Sequence, residues 1–354
     1  MQTKKILPIK CSLPSLIYGH IFNPLTIILA HEGTKEWFLS NYIQLCAPSE
    51  YFIYGEKDIE FLNFYPKYYS DFESFYLRTH NINESILNLT KDNLIDTIIS
   101  WLDNNYYIET FLNESEITGT YMWKLKFERL NEQLIYGYDK DLRIFKLTAF
   151  NDKNHYGTID ISFDDFVKVF FSFKTQKYCR ESDWISVGNK YGLVLYQFRE
   201  DVEYNFNIKS LVIQLDEYLN CKNTALHYTW LNEEKINFVF GVDVYTALTE
   251  WLSLYETEFV DFRSLFGLWD HKKIMLERLR FLEENNYLDT SKQYSHNYEK
   301  VEKIANKVRL LVLKYNMVRN KKIICDIIEL LNSMKNQEFD ILKNTFNDLE
   351  SYLD

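Results

Sequence analysis

The sequence predicts an α+β protein, with a mixed N-terminal half and an α-helical C-terminal region. Apolar residues recur at a spacing of two between about residues 105 and 200, and at a spacing of three to four after about residue 205. The chain can also bury a large core, because 46% of its 354 residues are hydrophobic and 17% are aromatic. We therefore expect two domains, at residues 1–205 and 206–354.

The first hundred residues read as short helices joined by loops. Residues 25–33 are an apolar segment that ends at Gly33, a residue suited to a left-handed helix C-cap. Residues 35–42 predict a second helix. Residues 91–104 carry apolar side chains at helical spacing, which predicts a third helix with one buried face.

The middle of the chain predicts strands, because several segments are rich in aromatic and β-branched residues. They are Tyr106–Leu112, Tyr121–Glu128, Leu134–Tyr138, Leu142–Phe150, Gly157–Ile161 and Gly192–Phe198. Asp139-Lys-Asp141 is a tight-turn signal, so Leu134–Phe150 predicts a β-hairpin. Ser162 is the expected N-cap of a helix that runs through Val169.

The residues after 205 predict amphipathic helices almost throughout. Ile208–Leu219 and Val242–Tyr255 are two of them, and apolar stripes at helical spacing follow in residues 301–315, 323–331 and 339–353. Such stripes pack against each other or against a partner. They favour a helical C-terminal domain and a homodimer through its helices.

Composition and motifs exclude several classes of function. The 51 Asp and Glu against 40 Lys and Arg give a formal charge of −11, which argues against a nucleic-acid partner. No apolar run reaches the roughly 18 residues that span a bilayer, and no signal peptide precedes the first helix, so we expect a cytoplasmic protein without a membrane partner. The ten glycines form no phosphate-binding loop, and no His, Cys and carboxylate cluster has metal-ligand spacing. No cofactor and no metal are expected.

Two short segments can be interpreted either as ordinary structure or as part of a functional site. Leu134-Ile-Tyr-Gly-Tyr-Asp139 is either an ordinary strand-to-turn junction or part of a site. Asp261-Phe-Arg263 is followed by Trp269-Asp-His-Lys272 and Arg278, which place charged residues among aromatic ones. This second group is either a buried ion-pair network that ties two domains together or an anion-binding pocket.

The order of these features resembles the papain-like acyltransferase family of the butirosin-biosynthesis type, which is related to C39 peptidases. Residues 20–33 look like the family's first helix, and residues 134–139 look like the strand and turn after its catalytic histidine. Residues 161–166 resemble the helix start that follows the hairpin, and residues 240–245 and 269–272 resemble segments of helical extensions in relatives. The resemblance implies a papain-like, cysteine-protease-type α/β domain followed by an α-helical C-terminal region.

The resemblance also implies where a catalytic site would lie. The family's nucleophilic cysteine stands at the N-terminus of the first helix, where this sequence has His20. Its histidine base lies just ahead of the Gly-Tyr-Asp strand, where this sequence has residues 131–133, Asn-Glu-Gln. The orienting residue falls near Asn151 and Asp152. On this alignment neither member of the Cys–His pair is present.

Two cysteines remain as nucleophile candidates. Cys11 precedes the first helix, and Cys46 follows the second and is expected on a strand. For each, the alternative is a small buried hydrophobic residue, as most free cysteines are. The candidate catalytic residues are Cys11, Cys46 and His20, and the histidines of this half that could serve as base are His20, His31, His80 and His155.

Two functions from different classes follow. The first is a bacterial antibiotic- or peptide-biosynthesis enzyme that forms an amide from an acyl thioester through a cysteinyl thioester, either as an acyltransferase or as a cysteine-peptidase-like protein. The second is a pseudoenzyme, a catalytically degenerate papain-fold protein that binds a peptide, a carrier protein or a partner enzyme. The expected partners are an acyl or peptidyl carrier protein or a biosynthetic partner enzyme.

Overall fold

The chain forms two compact units in a computed structural model that describes residues 2–12, 19–49, 62–65, 74–82, 86, 93–172, 192–227 and 237–353. Unit 1 comprises Met1–Thr34 and Tyr68–Glu203, and unit 2 comprises Lys35–Lys67 and Tyr204–Asp354. Residues 35–67 therefore group with the C-terminal part of the chain, whereas the predicted division at residue 205 places them with the N-terminal part.

The described residues form ten strands and ten α-helices. The strands are β1 (Lys4–Ile6), β2 (Leu45–Pro48), β3 (Asn63–Phe64), β4 (Leu77–Ile82), β5 (Tyr106–Asn113), β6 (Leu130–Asp139), β7 (Ile144–Phe150), β8 (Tyr156–Ser162), β9 (Leu193–Phe198) and β10 (Phe238–Phe240). The helices are α1 (Gly19–Ile28), α2 (Lys35–Ser40), α3 (Leu94–Asp103), α4 (Tyr121–Leu125), α5 (Phe163–Phe170), α6 (Ile208–Leu219), α7 (Val244–Ser253), α8 (Arg263–Glu284), α9 (Tyr294–Val318) and α10 (Lys321–Leu353). The mixed α+β class predicted from the sequence is confirmed.

Unit 1 is built on an antiparallel sheet in the order β4-β9-β5-β6-β7-β8, with β1 paired to the far end of β6. Helix α1 packs against β6 and β9, and α3 packs against β5 and β6. The predicted hairpin is confirmed as β6–β7, because the Asp139 side chain accepts the backbone N–H groups of Asp141 and Leu142 and closes the turn. Because β5 lies between β9 and β6, helix α1 crosses the middle of the sheet.

Local capping decides two helix starts in unit 1. The Ser162 hydroxyl accepts the backbone N–H of Asp165 at 3.0 Å, so the predicted N-cap of α5 is confirmed. The predicted strand at residues 121–128 is wrong, because residues 121–125 form helix α4. The Thr120 hydroxyl caps that helix by accepting the N–H of Trp123, and Lys126 ends it in the left-handed conformation.

Unit 2 combines a small sheet with long helices. The sheet has the order β10-β2-β3 and is antiparallel. Helices α8 and α9 pack together, α9 packs against α10, and α10 packs against α6 and α7. These helices confirm the predicted C-terminal helical region, and none in the described ranges is both long and apolar enough to cross a membrane.

Candidate functional site

The start of α1 lies against strand β6 in unit 1. Gly19 is the first residue of the helix and is buried, and a Cβ atom at this position would collide with the carboxyl group of Glu132. A side chain at position 19 would therefore displace Glu132, and glycine permits the close approach. A helix N-terminus carries a partial positive charge that favours a carboxylate beside it. The start of α1 and Glu132 form one end of the candidate site.

Glu109 is a second carboxyl on the same face of the sheet. It pairs with Leu134 across the β5–β6 ladder, and Glu132 lies two residues from Leu134 on the same side of its strand. Glu109 is 3% exposed. Asn23 of α1 donates its side-chain N–H to Glu109 at 2.7 Å, and the Tyr196 hydroxyl lies 3.4 Å from the other carboxyl oxygen. Both glutamates therefore face α1 from neighbouring strands.

The two carboxyl groups titrate near neutral pH. Burial raises the pKa of Glu109 to about 8, and the charge of Glu132 adds to this increase. Burial raises the pKa of Glu132 to about 7, and the charge of Glu114 adds to it. Because the two groups interact, they share their protons as a pair. The pair can therefore hold or release a proton at physiological pH.

Glu114 differs from these two because a cation neutralises it. It is fully buried, and Arg129 donates its Nε–H to Glu114 at 2.7 Å. Asn131 and Gln133 donate their side-chain N–H groups to the other carboxyl oxygen. The hydrogen-bonding partners of Glu109, in contrast, are a neutral amide and a neutral phenol.

Cys11 lies away from the start of α1. The backbone N–H of Lys10 donates to the carbonyl of Thr26, so this segment runs beside the C-terminal end of the helix. Cys11 is half-buried, and burial raises the pKa of its thiol above its ordinary value. A nucleophilic cysteine requires a lowered thiol pKa, so this environment disfavours the thiolate.

Cys46 lies on strand β2, as expected from the sequence, and belongs to unit 2. It is fully buried in a small apolar cluster with Tyr65, Ala225 and Phe240. This is the environment of a small hydrophobic residue. The structure thus places Cys46 in one unit, and Cys11 and α1 in the other.

The predicted histidine bases lie at separate places in unit 1. His20 is the second residue of α1, and its side chain lies outside the described residues. His31 stacks on Phe198 with 3.6 Å between the ring centroids, and burial lowers its pKa. His80 lies on β4, and His155 is exposed in the β7–β8 turn.

The predicted orienting residues lie in that same β7–β8 turn. The Asn151 side chain accepts the backbone N–H groups of Lys153 and His155 and so closes the turn. Asp152, the other residue named for this role, is exposed beside it.

Unit 2 holds a second buried polar cluster, centred on Lys272 of α8 and Glu338 of α10. Both side chains are fully buried, and the Lys272 ammonium lies 2.8 Å from each oxygen of Glu338. Tyr218, Tyr245 and Tyr298 donate their hydroxyl groups to the same carboxylate. Burial lowers the pKa of Lys272, and Glu338 opposes that shift. The pair is compensated in charge and saturated in hydrogen bonds.

Two neighbouring side chains complete this cluster. His271 Nε2 donates to the carbonyl of Ile43, so its Nδ1 accepts from Lys272 at 3.0 Å, and the imidazole is neutral. Arg278 donates to the carbonyl groups of Leu39 and Asn41 at the end of α2. Of the two interpretations of this charged segment, the structure supports the buried ion-pair network within unit 2, because Lys272 faces a carboxylate of the same unit.

Sequence reasoning missed the acidic partners in both clusters. Glu109 lies in a segment that predicts a strand, and Glu338 lies in the region that predicts helices. The only sequence signal for either residue is a charged side chain at a position that the apolar pattern places in the core. Among the residues that the structure describes, no group of three or more His, Cys, Asp or Glu could hold a metal ion.

Comparison with known proteins leaves the class of this chain open. No protein-family model matches the chain, and no curated protein matches it significantly.

Proposed function

We propose that unit 1 is a papain-like domain without thiol chemistry, and that the protein binds a peptide, a carrier protein or a partner enzyme in natural-product or peptide biosynthesis. One observation carries this proposal. At the start of α1, the position where the resembling family has its cysteine nucleophile is His20, and a side chain at the neighbouring Gly19 would collide with Glu132.

The arrangement of unit 1 supports a papain-like site of altered chemistry. An antiparallel sheet packs against α1, and the start of this helix meets β6 within residues 131–133, the segment where the resemblance places the family's histidine base. The residue of this segment that lies against the helix start is Glu132. Its pKa of about 7 suits proton exchange, but the helix start offers it no thiol to activate.

The environments of both candidate cysteines disfavour a role as nucleophile. The Cys11 thiol has a raised pKa and lies beside the other end of α1. Cys46 is enclosed by apolar side chains in unit 2. A cysteine enzyme needs an accessible thiolate next to a base, and neither residue has these properties.

Intact-protein mass spectrometry with a panel of acyl-pantetheine thioesters tests the loss of thiol chemistry. Cys325 is exposed and provides a background acceptor. We expect that any acyl adduct on the full chain persists in Cys11→Ala and in Cys46→Ala, and that Cys325→Ala removes the adduct on this exposed cysteine. An adduct lost in Cys11→Ala or Cys46→Ala, and transferred to an added amine, would instead establish the acyltransferase.

Thermal unfolding tests the binding role. The probes are acyl-pantetheines, loaded carrier proteins and short peptides, and we expect one class to raise Tm. Gly19→Ala, which displaces Glu132, should weaken that increase, whereas Gly157→Ala should not, because a Cβ atom at Gly157 meets nothing within 4 Å. No increase with any of the three probe classes would contradict the proposal.

A further inference from the structure

The second half of α9 and the start of α10 are strongly basic. Residues 303–322 contain no Asp or Glu, in a chain whose formal charge is −11. The basic residues are Lys303, Lys307, Arg309, Lys314, Arg319, Lys321 and Lys322. Lys303 and Lys321, at the two ends of this stretch, form ion pairs with Glu299 and Glu256, so the local excess of positive charge lies between them.

The same stretch of α9 exposes large apolar side chains. Leu310 is 52% exposed, Leu313 is 36% exposed and Met317 is 84% exposed, and their spacing of three and four puts them on one side of the helix. Val308 and Val312, which point to the other side, are fully buried. The helix thus has an ordinary core-facing stripe and a second apolar stripe in solvent.

Exposed lysines flank this second stripe. Lys307 and Lys314 lie one turn from Leu310 on either side along α9, and both are exposed. Arg309, in contrast, lies over the ring of Trp269 and is half-buried. We call Lys307, Leu310, Leu313, Lys314 and Met317 the α9 face.

We propose that the α9 face binds the surface of a membrane that contains anionic lipids. An amphipathic helix with apolar residues between lysines lies in the plane of the interface, where its apolar side chains enter the acyl region and its lysines meet lipid phosphates. Such a contact requires no spanning segment. The proposal therefore differs from the expectation of no membrane partner, because that expectation rested on the length of apolar runs. It is independent of the function proposed for unit 1.

The charges and the shape of the α9 face favour a lipid surface over other occupants. A second copy of the chain, joined about a two-fold axis, would bring lysines against lysines. Nucleic acid would pair with the lysines but leave Leu310 and Met317 in water. One side of a single helix is also convex, which suits a deformable lipid surface.

Vesicle co-sedimentation of the full chain tests this proposal. The probes are vesicles of phosphatidylcholine alone and vesicles with about one third phosphatidylglycerol. We expect binding to the anionic vesicles only, and binding that falls as salt is added. Lys307→Glu/Lys314→Glu should lower the partition coefficient about tenfold or more, and Leu310→Gln/Met317→Gln should lower it about tenfold.

Matched variants elsewhere control for charge and apolarity. Lys168→Glu/Lys209→Glu makes the same change in net charge at exposed positions of α5 and α6, and Leu142→Gln removes a leucine that is 67% exposed in the β6–β7 turn. Both should bind as the unmodified chain does. The proposal is overturned if the unmodified chain does not bind, or if the controls lose as much binding as the α9 variants. It is also overturned if light scattering shows a dimer that the α9 variants abolish.

Discussion

Glu338 in unit 2 and the pair of Glu109 and Glu132 in unit 1 have opposite electrostatic surroundings. In unit 2, the Glu338 carboxylate meets a lysine and three tyrosine hydroxyls, so its charge is compensated where it lies. In unit 1, Glu109 is buried and Glu132 is half-buried on the same side of the sheet, and their pKa values rise to about 8 and about 7. The difference teaches that burial alone does not determine the charge of a carboxyl group. A cation at hydrogen-bonding distance stabilises the charged form, and without one burial favours the protonated form. The first arrangement is structural, and the second retains a titratable group.

The largest effect is expected from removing the cation in unit 2. Lys272→Met leaves Glu338 buried without its counter-charge and should lower the free energy of unfolding by about 3–5 kcal/mol. Urea unfolding monitored by circular dichroism measures this. The double variant Lys272→Met/Glu338→Met should recover part of the loss, because it leaves no buried charge. A single variant as stable as the unmodified chain would show that the pair is not buried.

The next effect is a pH dependence that belongs to unit 1. The pKa of Glu109 is higher in the folded chain, at about 8, than in the unfolded chain, so the folded state holds a proton that the unfolded state releases. The contribution of Glu109 to stability is therefore fully present below its unfolded pKa of 4.5 and falls as pH rises from there to about 8, by up to about 1.4 kcal/mol per pH unit.

Glu109→Gln tests that pH dependence. We expect a flatter stability profile and, at pH 8, a gain of about 3 kcal/mol over the unmodified chain, because the amide carries no charge to bury. Denaturant unfolding between pH 5.5 and 8.5 measures both. An unchanged slope would show that Glu109 does not titrate in this range. Glu338→Gln serves as the contrast and should destabilise at every pH, because it breaks the pair with Lys272.

The next prediction concerns Arg129, the cation that compensates the charge of Glu114. Arg129→Met leaves the fully buried Glu114 without a cation, and we expect a loss of about 2 kcal/mol at pH 7, below the value for Lys272 because Arg129 is partly exposed. Urea unfolding at pH 7 measures this loss. The double variant Arg129→Met/Glu114→Gln should recover part of it, because it leaves no buried charge. A loss that the double variant does not recover would assign Arg129 a packing role instead.

The smallest effect separates two tyrosines. Tyr298 donates a hydrogen bond to the charged Glu338, so Tyr298→Phe should cost about 1.5 kcal/mol. Tyr196 lies 3.4 Å from Glu109, which is protonated for much of the time at pH 7, so Tyr196→Phe should cost less than about 1 kcal/mol. Thermal and urea unfolding of the two single variants measure both losses. Equal losses would mean that both carboxyl groups carry the same charge.

Local patterns predicted much of the fold and little of the site. The β6–β7 hairpin and the Ser162 cap follow from turn and cap residues that act on their own neighbours. The strand predicted at residues 121–128 failed because Thr120 caps a helix there, and because Trp123 and Leu125 are exposed and need no sheet to bury them. Periodicity shows which side of a helix or strand is apolar. It fails for a short, exposed element such as α4, because the apolar residues of that element are not buried.

What the sequence determined by itself was the α+β class, the helical C-terminal region and the local starts and turns, because these depend on residues close together in the chain. Only the tertiary structure decided that Gly19 meets Glu132 and that Lys272 meets Glu338, since these partners are 113 and 66 residues apart. A periodic pattern predicts which face of an element is buried but not which other element packs against that face. The charge of a buried group, and the chemistry of a site, depend on the side chains of that other element.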